Sequence, residues 1–370
     1  MGNKEQKINC EMVILARESR GFTQRDLAKR LGITQGALSR IESGLLGMEG
    51  STLNKLCNIL GYPKGFFAQQ RPIYGVGLVE VFHRKRQSIS VKTMDKVYSL
   101  IDIRTTEISR MLKGVDIGMV DFPHFDIDDY DGSATEVARL VRAKWRIPHG
   151  PIQSVTSYFE RARGIIIPFD FETNGIDAIS HWLPVMPPLF FVNKYMPTDR
   201  MRFSLCHELG HIVMHQHSPT PEIEKQANSF AAEFLMPQRD ITPYLMDLSV
   251  EKLASLKPYW KVAMSALLKR AVDLEATTQR HGRTLWMQLS KAGYKIREPM
   301  ELDIQSEPTT LLKEILRTYI NDMGYNIAEL AKLLNLFEDE FQSIYLDKND
   351  RSHLILKEAE DILRNHNKHQ

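Results

Sequence analysis

The stretch CHELGHIVMHQH, residues 206–217, places four histidines and one glutamate in twelve residues. It is either a metal site on a helix or a histidine-rich polar surface. His207 and His211 are i and i+4, so on a helix they share a face about one turn, ~6 Å, apart. Two imidazoles at that spacing can converge on one zinc ion. Glu208 follows the first histidine. In an H-E-x-x-H arrangement this glutamate is not a ligand: it stands beside the metal and takes the proton of the bound water. His215 shares the face of His211 but lies ~12 Å along the axis from His207. Bonds of ~2.1 Å cannot span that distance, so His215 is expected to pack or to support a ligand. His217 has no helical relation to the pair and reads as a loop residue.

The flanking sequence supports the metal reading. Upstream, PLFFVNKYMPTDRMRFSL (188–205) gives a strand-like run from Leu189 to Val192, a turn, and a helix that enters the motif. Downstream, PEIEKQANSFAAEFLMP (221–237) gives a second helix with Ala227, Phe230, Ala231 and Phe234 as its buried stripe. Glu222, Glu224 and Glu233 are the choices for a third ligand. Glu224 projects near the stripe, and Glu233, two and a half turns beyond, falls on another face. His181, Tyr195 and His215 are the candidates for stabilising an oxyanion. The run from Leu189 to Val192 could hold a substrate segment by strand addition.

With the helices in place, RMRFSLCHELGHIVMH followed by EKQANSFAAEFLMP resembles the ImmA/IrrE family of zinc metallopeptidases. The resemblance runs from about residue 150 to 275, with Asn193 and Arg202 upstream and WKVAMSALLKRAVDL (260–274) downstream in family order. It implies a gluzincin-like Zn²⁺ endopeptidase with His207, His211 and Glu224 as ligands and Glu208 as catalytic residue. Ser204 and Cys206 stand where Thr and Ala are common, outside the ligand set.

The N-terminal end carries a second signal. Residues 1–65 hold ten Lys/Arg and six Asp/Glu, although the whole chain has a net charge of only +2. FTQRDLAKRLGITQGALSRIESG (22–44) reads as two short helices around a tight turn. Thr23 caps the first and Leu27, Ala28 and Leu31 form its apolar face. Gly32 supplies the left-handed turn. Thr34 caps the second helix, with Ala37, Leu38 and Ile41 inward. Gln35, Gly36, Ser39 and Arg40 remain outside, and Gln and Arg are residues that bond adenine and guanine edges in the major groove. This stretch, over residues 8–68, resembles the helix-turn-helix domain of the lambda-repressor/Cro (XRE) family. The resemblance places Gln35, Gly36 and Arg40 where members read bases, and Gln24 where they bind phosphate. It implies a double-stranded DNA operator and, since such operators are two-fold, a homodimer.

The rest of the chain sets the frame. Its 370 residues exceed one core, and 43% hydrophobic with 25% charged residues is ordinary for a soluble globular protein. Cys10, Cys57 and Cys206 lie far apart, which argues against a disulfide framework and a cysteine-based zinc knuckle and fits a reducing cytosol. There is no secretory leader and no membrane-spanning run, so the expectation is a cytoplasmic protein with no membrane partner.

Four segments follow: the DNA-binding domain (8–68), a helical connecting region (69–148), the peptidase domain (149–280) and a helical packing or dimerisation region (281–370). HRKRQSIS (83–90) reads as a solvated basic face. Val91 to Val115 reads as one long helix, and the acidic DFPHFDIDDYDG (121–132) as a boundary without calcium-loop spacing. YNIAELAKLLNL has the helix-turn spacing of the N-terminal motif, but an acidic helix follows it. No internal repeat stands out. The expected fold is mainly α (α+β): a five-helix N-terminal bundle, a helical peptidase domain with a small sheet, and a helical C-terminal region. The function implied is a DNA-binding regulator carrying a zinc endopeptidase whose protein substrate is a helix-turn-helix repressor. The alternative is a transcription factor whose zinc domain only senses a signal or partner.

Overall fold

A computed structural model describes residues 8–70, 89–215 and 221–346. The basic residues 83–88, His217 and the chain after 346 lie outside the described residues. The contacts divide the chain into two compact units. One comprises Met1–Ile73, Ser90–Asp116 and Lys313–Gln370, and the other Tyr74–Ile89 and Ile117–Leu312.

Following the chain, the first unit opens with α1 (Cys10–Ser19), α2 (Gln24–Leu31), α3 (Gln35–Glu42), α4 (Gly50–Leu60) and α5 (Lys64–Phe67). Local chemistry sets these limits. Thr23 and Asp26 form a reciprocal capping box at α2, left-handed Gly32 ends it, and the Thr34 hydroxyl accepts from Ala37 N to start α3. Met12, Val13, Ala16, Leu27, Leu31, Leu38 and Leu56 form the core. A buried ion pair ties three of the helices together. Arg17 donates to both Glu42 oxygens at 2.7 and 3.2 Å and to Phe22 O at 3.0 Å, while Gln24 donates to Glu42 at 2.7 Å. The long helix α6 (Val91–Leu112) packs on α1.

The second unit contains α7 (Ala134–Lys144), α8 (Val155–Arg161), β1 (Ile165–Phe169), β2 (Ala178–His181), β3 (Leu189–Asn193), α9 (Thr198–Met214), α10 (Pro221–Leu235), α11 (Gln238–Ile241), α12 (Val250–Trp260), α13 (Met264–Asp273) and α14 (Gln279–Lys291). The sheet has the order β1-β3-β2, with β1 parallel and β2 antiparallel to β3. β3 is thus the central strand, and its apolar run LFFV is buried on both faces. This corrects the expectation of strand addition along Leu189–Val192, because both edges of β3 are already paired. One face of the sheet, bearing Ile166, Ala178, Phe190 and Val192, shares a core with Phe159, Leu205 and Leu209.

The chain then forms α15 (Leu311–Arg317), α16 (Ile327–Leu334) and α17 (Glu338–Tyr345), all but the first two residues in the first unit. The units therefore cut across the four sequence segments. α6 and residues 313–345 join the N-terminal bundle because buried polar groups bind them. Tyr345 donates to Glu107 at 2.6 Å beside Arg104, and Arg20 pairs with Glu340 at 2.7 Å. Burial pushes the Glu107 carboxyl up, against the pull of Arg104. Residues 117–148 and 281–312 instead join the motif helices, with Val137, Val141, Leu285 and Leu289 in that core.

The fold is mainly α with one small sheet. Among the described residues no helix is long and apolar enough to cross a membrane.

Removing one partner of a buried ion pair strands the other. Glu42→Ala is expected to destabilise the first unit by about 3 kcal/mol, seen as lost amide-exchange protection in α1 and α3.

Candidate metal centre and DNA-reading helix

α9 and α10 build the candidate metal centre. Gly210, on α9 between the two motif histidines, lets α10 approach closely: a Cβ there would meet Phe230 atoms at 3.2 Å. Ala227, Phe230, Ala231 and Phe234 of α10 are fully buried against this surface. Glu224, one turn before Ala227, is thereby carried to the histidines. Its oxygens lie 3.6 Å from His207 Nε2 and 3.4 Å from His211 Nε2, and the two Nε2 atoms are 3.0 Å apart. All three donors lie within 4.8 Å of one another. A tetrahedral zinc site with bonds of ~2.1 Å has ligand–ligand edges of about 3.4 Å, so these distances fit one ion.

The supporting hydrogen bonds fix the tautomers. Asn228 Nδ2 donates to Glu224 O at 2.7 Å, which orients its amide. Its Oδ1 then accepts from His207 Nδ1 at 3.2 Å, leaving the lone pair on Nε2. Gln226 Oε1 accepts from His215 Nε2 at 3.1 Å, so His215 Nδ1 accepts from His211 Nδ1 at 3.0 Å. His211 Nε2 also keeps its lone pair. Two nitrogen lone pairs facing each other repel unless a cation or proton lies between them, so the donor set suits a metal. Burial, reinforced by His211, lowers the His215 pKa to about 4 and keeps that ring neutral. Because both its nitrogens are engaged, His215 is not placed to donate to an oxyanion.

The other choices for the third ligand go elsewhere. Glu222 pairs with Lys225 at 3.1 Å, and buried Glu233 is held by Arg139 and Arg270. Tyr195 donates its hydroxyl to Asp170 at 2.8 Å, in the turn after β3. His181 follows Ser180 on β2, so its side chain leaves the opposite face of the sheet.

Glu208 is only 2% exposed. Its Oε2 accepts from Ser180 N at 2.9 Å and from Ser180 Oγ at 2.6 Å. The sequence reading missed Ser180, since no local pattern ties a strand serine to a helix 28 residues away. It also missed the supporting role of Asn228, although the i+4 spacing from Glu224 was a usable signal. Buried ions hold the start of α9. Arg202 binds Glu307 and donates to Ile152 O at 2.6 Å, and Lys257 bridges Asp199 and Glu298 at 2.5 and 2.6 Å.

On the first unit, α3 presents Gln35, Gly36 and Arg40 to solvent, with Ser39 half-buried. Thr34 serves as its N-cap, and Gln24 opens α2 with its amide on Glu42.

Residues 164–272 match the family model of the IrrE N-terminal-like domain (the peptidase M78 family), and residues 13–67 match the helix-turn-helix family. The chain fuses an XRE-type helix-turn-helix domain to an ImmA/IrrE-like domain. The IrrE-like match runs from β1 into α13, and therefore includes Glu208 and the whole His207–His211–Glu224 cluster. No curated protein matches the chain.

Losing a partner of a metal-binding imidazole typically costs 10–100-fold in metal affinity. Asn228→Ala is expected to weaken zinc binding about tenfold or more by chelator competition, with the helical circular dichroism unchanged.

Proposed function

We propose that this chain is a DNA-binding regulator of the cytosol that carries a zinc-dependent endopeptidase acting on a helix-turn-helix repressor. The convergence of His207, His211 and Glu224 on one point, with Glu208 one residue along, carries the reading. These three side chains would hold Zn²⁺, which supplies a more acidic water and polarises a peptide carbonyl. Glu208 takes the proton of the attacking water and delivers it to the leaving amine. Ser180 fixes one oxygen of that carboxylate through two donors before substrate arrives. Asn228 and His215 hold the two imidazoles in the tautomers that present Nε2.

The exposed face of α3 supports operator binding, with Gln35 and Arg40 as base readers, Thr34 and Ser39 beside them, Gly36 allowing close approach, and Gln24 at the phosphate backbone. A homodimer on a two-fold site follows from that reading. A second reading, in which the zinc domain is a sensor that does not cleave, draws on the burial of Glu208 against Ser180.

Elemental analysis and a cleavage assay on a co-encoded repressor separate the two. The expected result is one zinc per chain, lost in Glu224→Ala, with cleavage abolished in Glu208→Gln although that variant keeps its zinc. Zinc without cleavage favours the sensor, and no zinc overturns both. On the DNA side, Arg40→Ala is expected to cost about 1–3 kcal/mol of operator binding and to relax the sequence preference, checked by gel shift against altered operators.

A further inference from the structure

The segment 313–345 repeats the N-terminal helix-turn-helix core at a constant offset. Left-handed Gly21 corresponds to left-handed Gly324. The capping box of Thr23 and Asp26 corresponds to that of Asn326 and Glu329. Left-handed Gly32 corresponds to left-handed Asn335, and α2 and α3 correspond to α16 and α17, each of eight residues. The core repeats as well. Met12, Val13, Ala16, Leu27, Ala28, Leu31 and Leu38 correspond to Ile315, Leu316, Tyr319, Leu330, Ala331, Leu334 and Phe341, and all fourteen are buried. In the sequence only the helix-turn spacing of YNIAELAKLLNL shows this repeat, because most other residues differ. It is conserved as burial, caps and turn chirality.

The repeated surface has changed sign. Residues 23–42 carry four basic and two acidic side chains, and residues 326–345 carry one basic and four acidic. Where Arg40 and Gln35 face solvent on α3, α17 shows Ser343 and Glu338, next to exposed Asp339. The N-cap Thr34 is replaced by Phe337, an aromatic side chain that is 40% exposed. Like charge opposes docking on phosphate. An exposed aromatic beside a charged rim is a protein-binding composition.

We propose that residues 313–345 form a second, charge-inverted helix-turn-helix core that binds the DNA-reading face of a second copy of this chain. Charge complementarity names the occupant. Residues 1–65 carry ten basic and six acidic side chains, and Arg25, Lys29, Arg30 and Arg40 are exposed around α2 and α3, on the face that the acidic core has inverted. Two such contacts close a two-fold, DNA-free dimer in which the α17 of each copy covers the α3 of the other. DNA and this dimer compete for α3.

The test is sedimentation of the purified full-length chain across salt concentrations, without and with operator-length duplex DNA. The wild type is expected to dimerise at low salt and to lose the dimer as salt rises or DNA is added. E338K/D339K and R25E/R40E are each expected to weaken dimerisation at least ~10-fold. Mixing the two variants restores a contact of opposite charges and is expected to recover a heterodimer. All four positions are exposed, and thermal melts confirm that the variants fold. F337S, which leaves the charges intact, is also expected to weaken the dimer. A wild type that stays monomeric at low salt overturns the proposal. So does a dimer indifferent to E338K/D339K, failure of the mixture to associate, or binding of a co-encoded repressor in place of a second copy. None of these readouts depends on zinc or cleavage, so they stand apart from the peptidase reading.

Discussion

The candidate metal centre depends on how closely two helices can pack. α9 and α10 meet at Gly210 and Phe230, where the absence of a side chain on one helix admits a ring from the other. A larger residue at 210 would hold the axes apart, and interhelical distance follows the side chains at the contact. Glu224 sits at the far end of the same apolar stripe, so its distance from the histidines is set by that packing. The ligand geometry is a consequence of a core contact, and a conservative-looking core substitution would reach the metal site.

Around this contact the second unit places rigid supports. Arg202, Lys257 and Glu233 each sit in a buried ion cluster that ties one of the central helices to a distant segment. Buried pairs of this kind contribute little net stability compared with apolar packing, but each is costly to break and so fixes position. The site needs position above all. On the proposed reading, Glu208 and the three candidate ligands would work only when held to within about half an ångström of the productive arrangement. β2 plays its part by bringing Ser180 to Glu208, and the central strand β3 sets the register of β2.

The legible parts of the sequence were those with local rules. The i, i+4 histidines, the buried stripe of α10, and the caps and turn of the N-terminal core follow from helical periodicity and glycine conformation. Residues 189–192 were readable as a strand because their apolar run is continuous. What local rules could not supply was pairing. β1 and β2 were not assigned, and β3 was given an open edge although it is the middle strand. Ser180 acquires its role only through that pairing. The repeat of the helix-turn-helix core was legible only as the spacing of YNIAELAKLLNL, and its turn was hidden because Gly32 and Asn335 share a left-handed conformation without sharing an identity. The segment boundaries likewise followed composition, whereas the compact units follow buried polar contacts such as Tyr345 with Glu107.

The central claim is that His207, His211 and Glu224 form one zinc site with a position left for water. Zinc-edge X-ray absorption on the purified chain tests it most directly. The account predicts a first shell of about four nitrogen and oxygen atoms at roughly 2.0–2.1 Å, with the outer-shell scattering of two imidazoles and no sulfur. A shell with sulfur, with a third imidazole, or with six oxygens would contradict it.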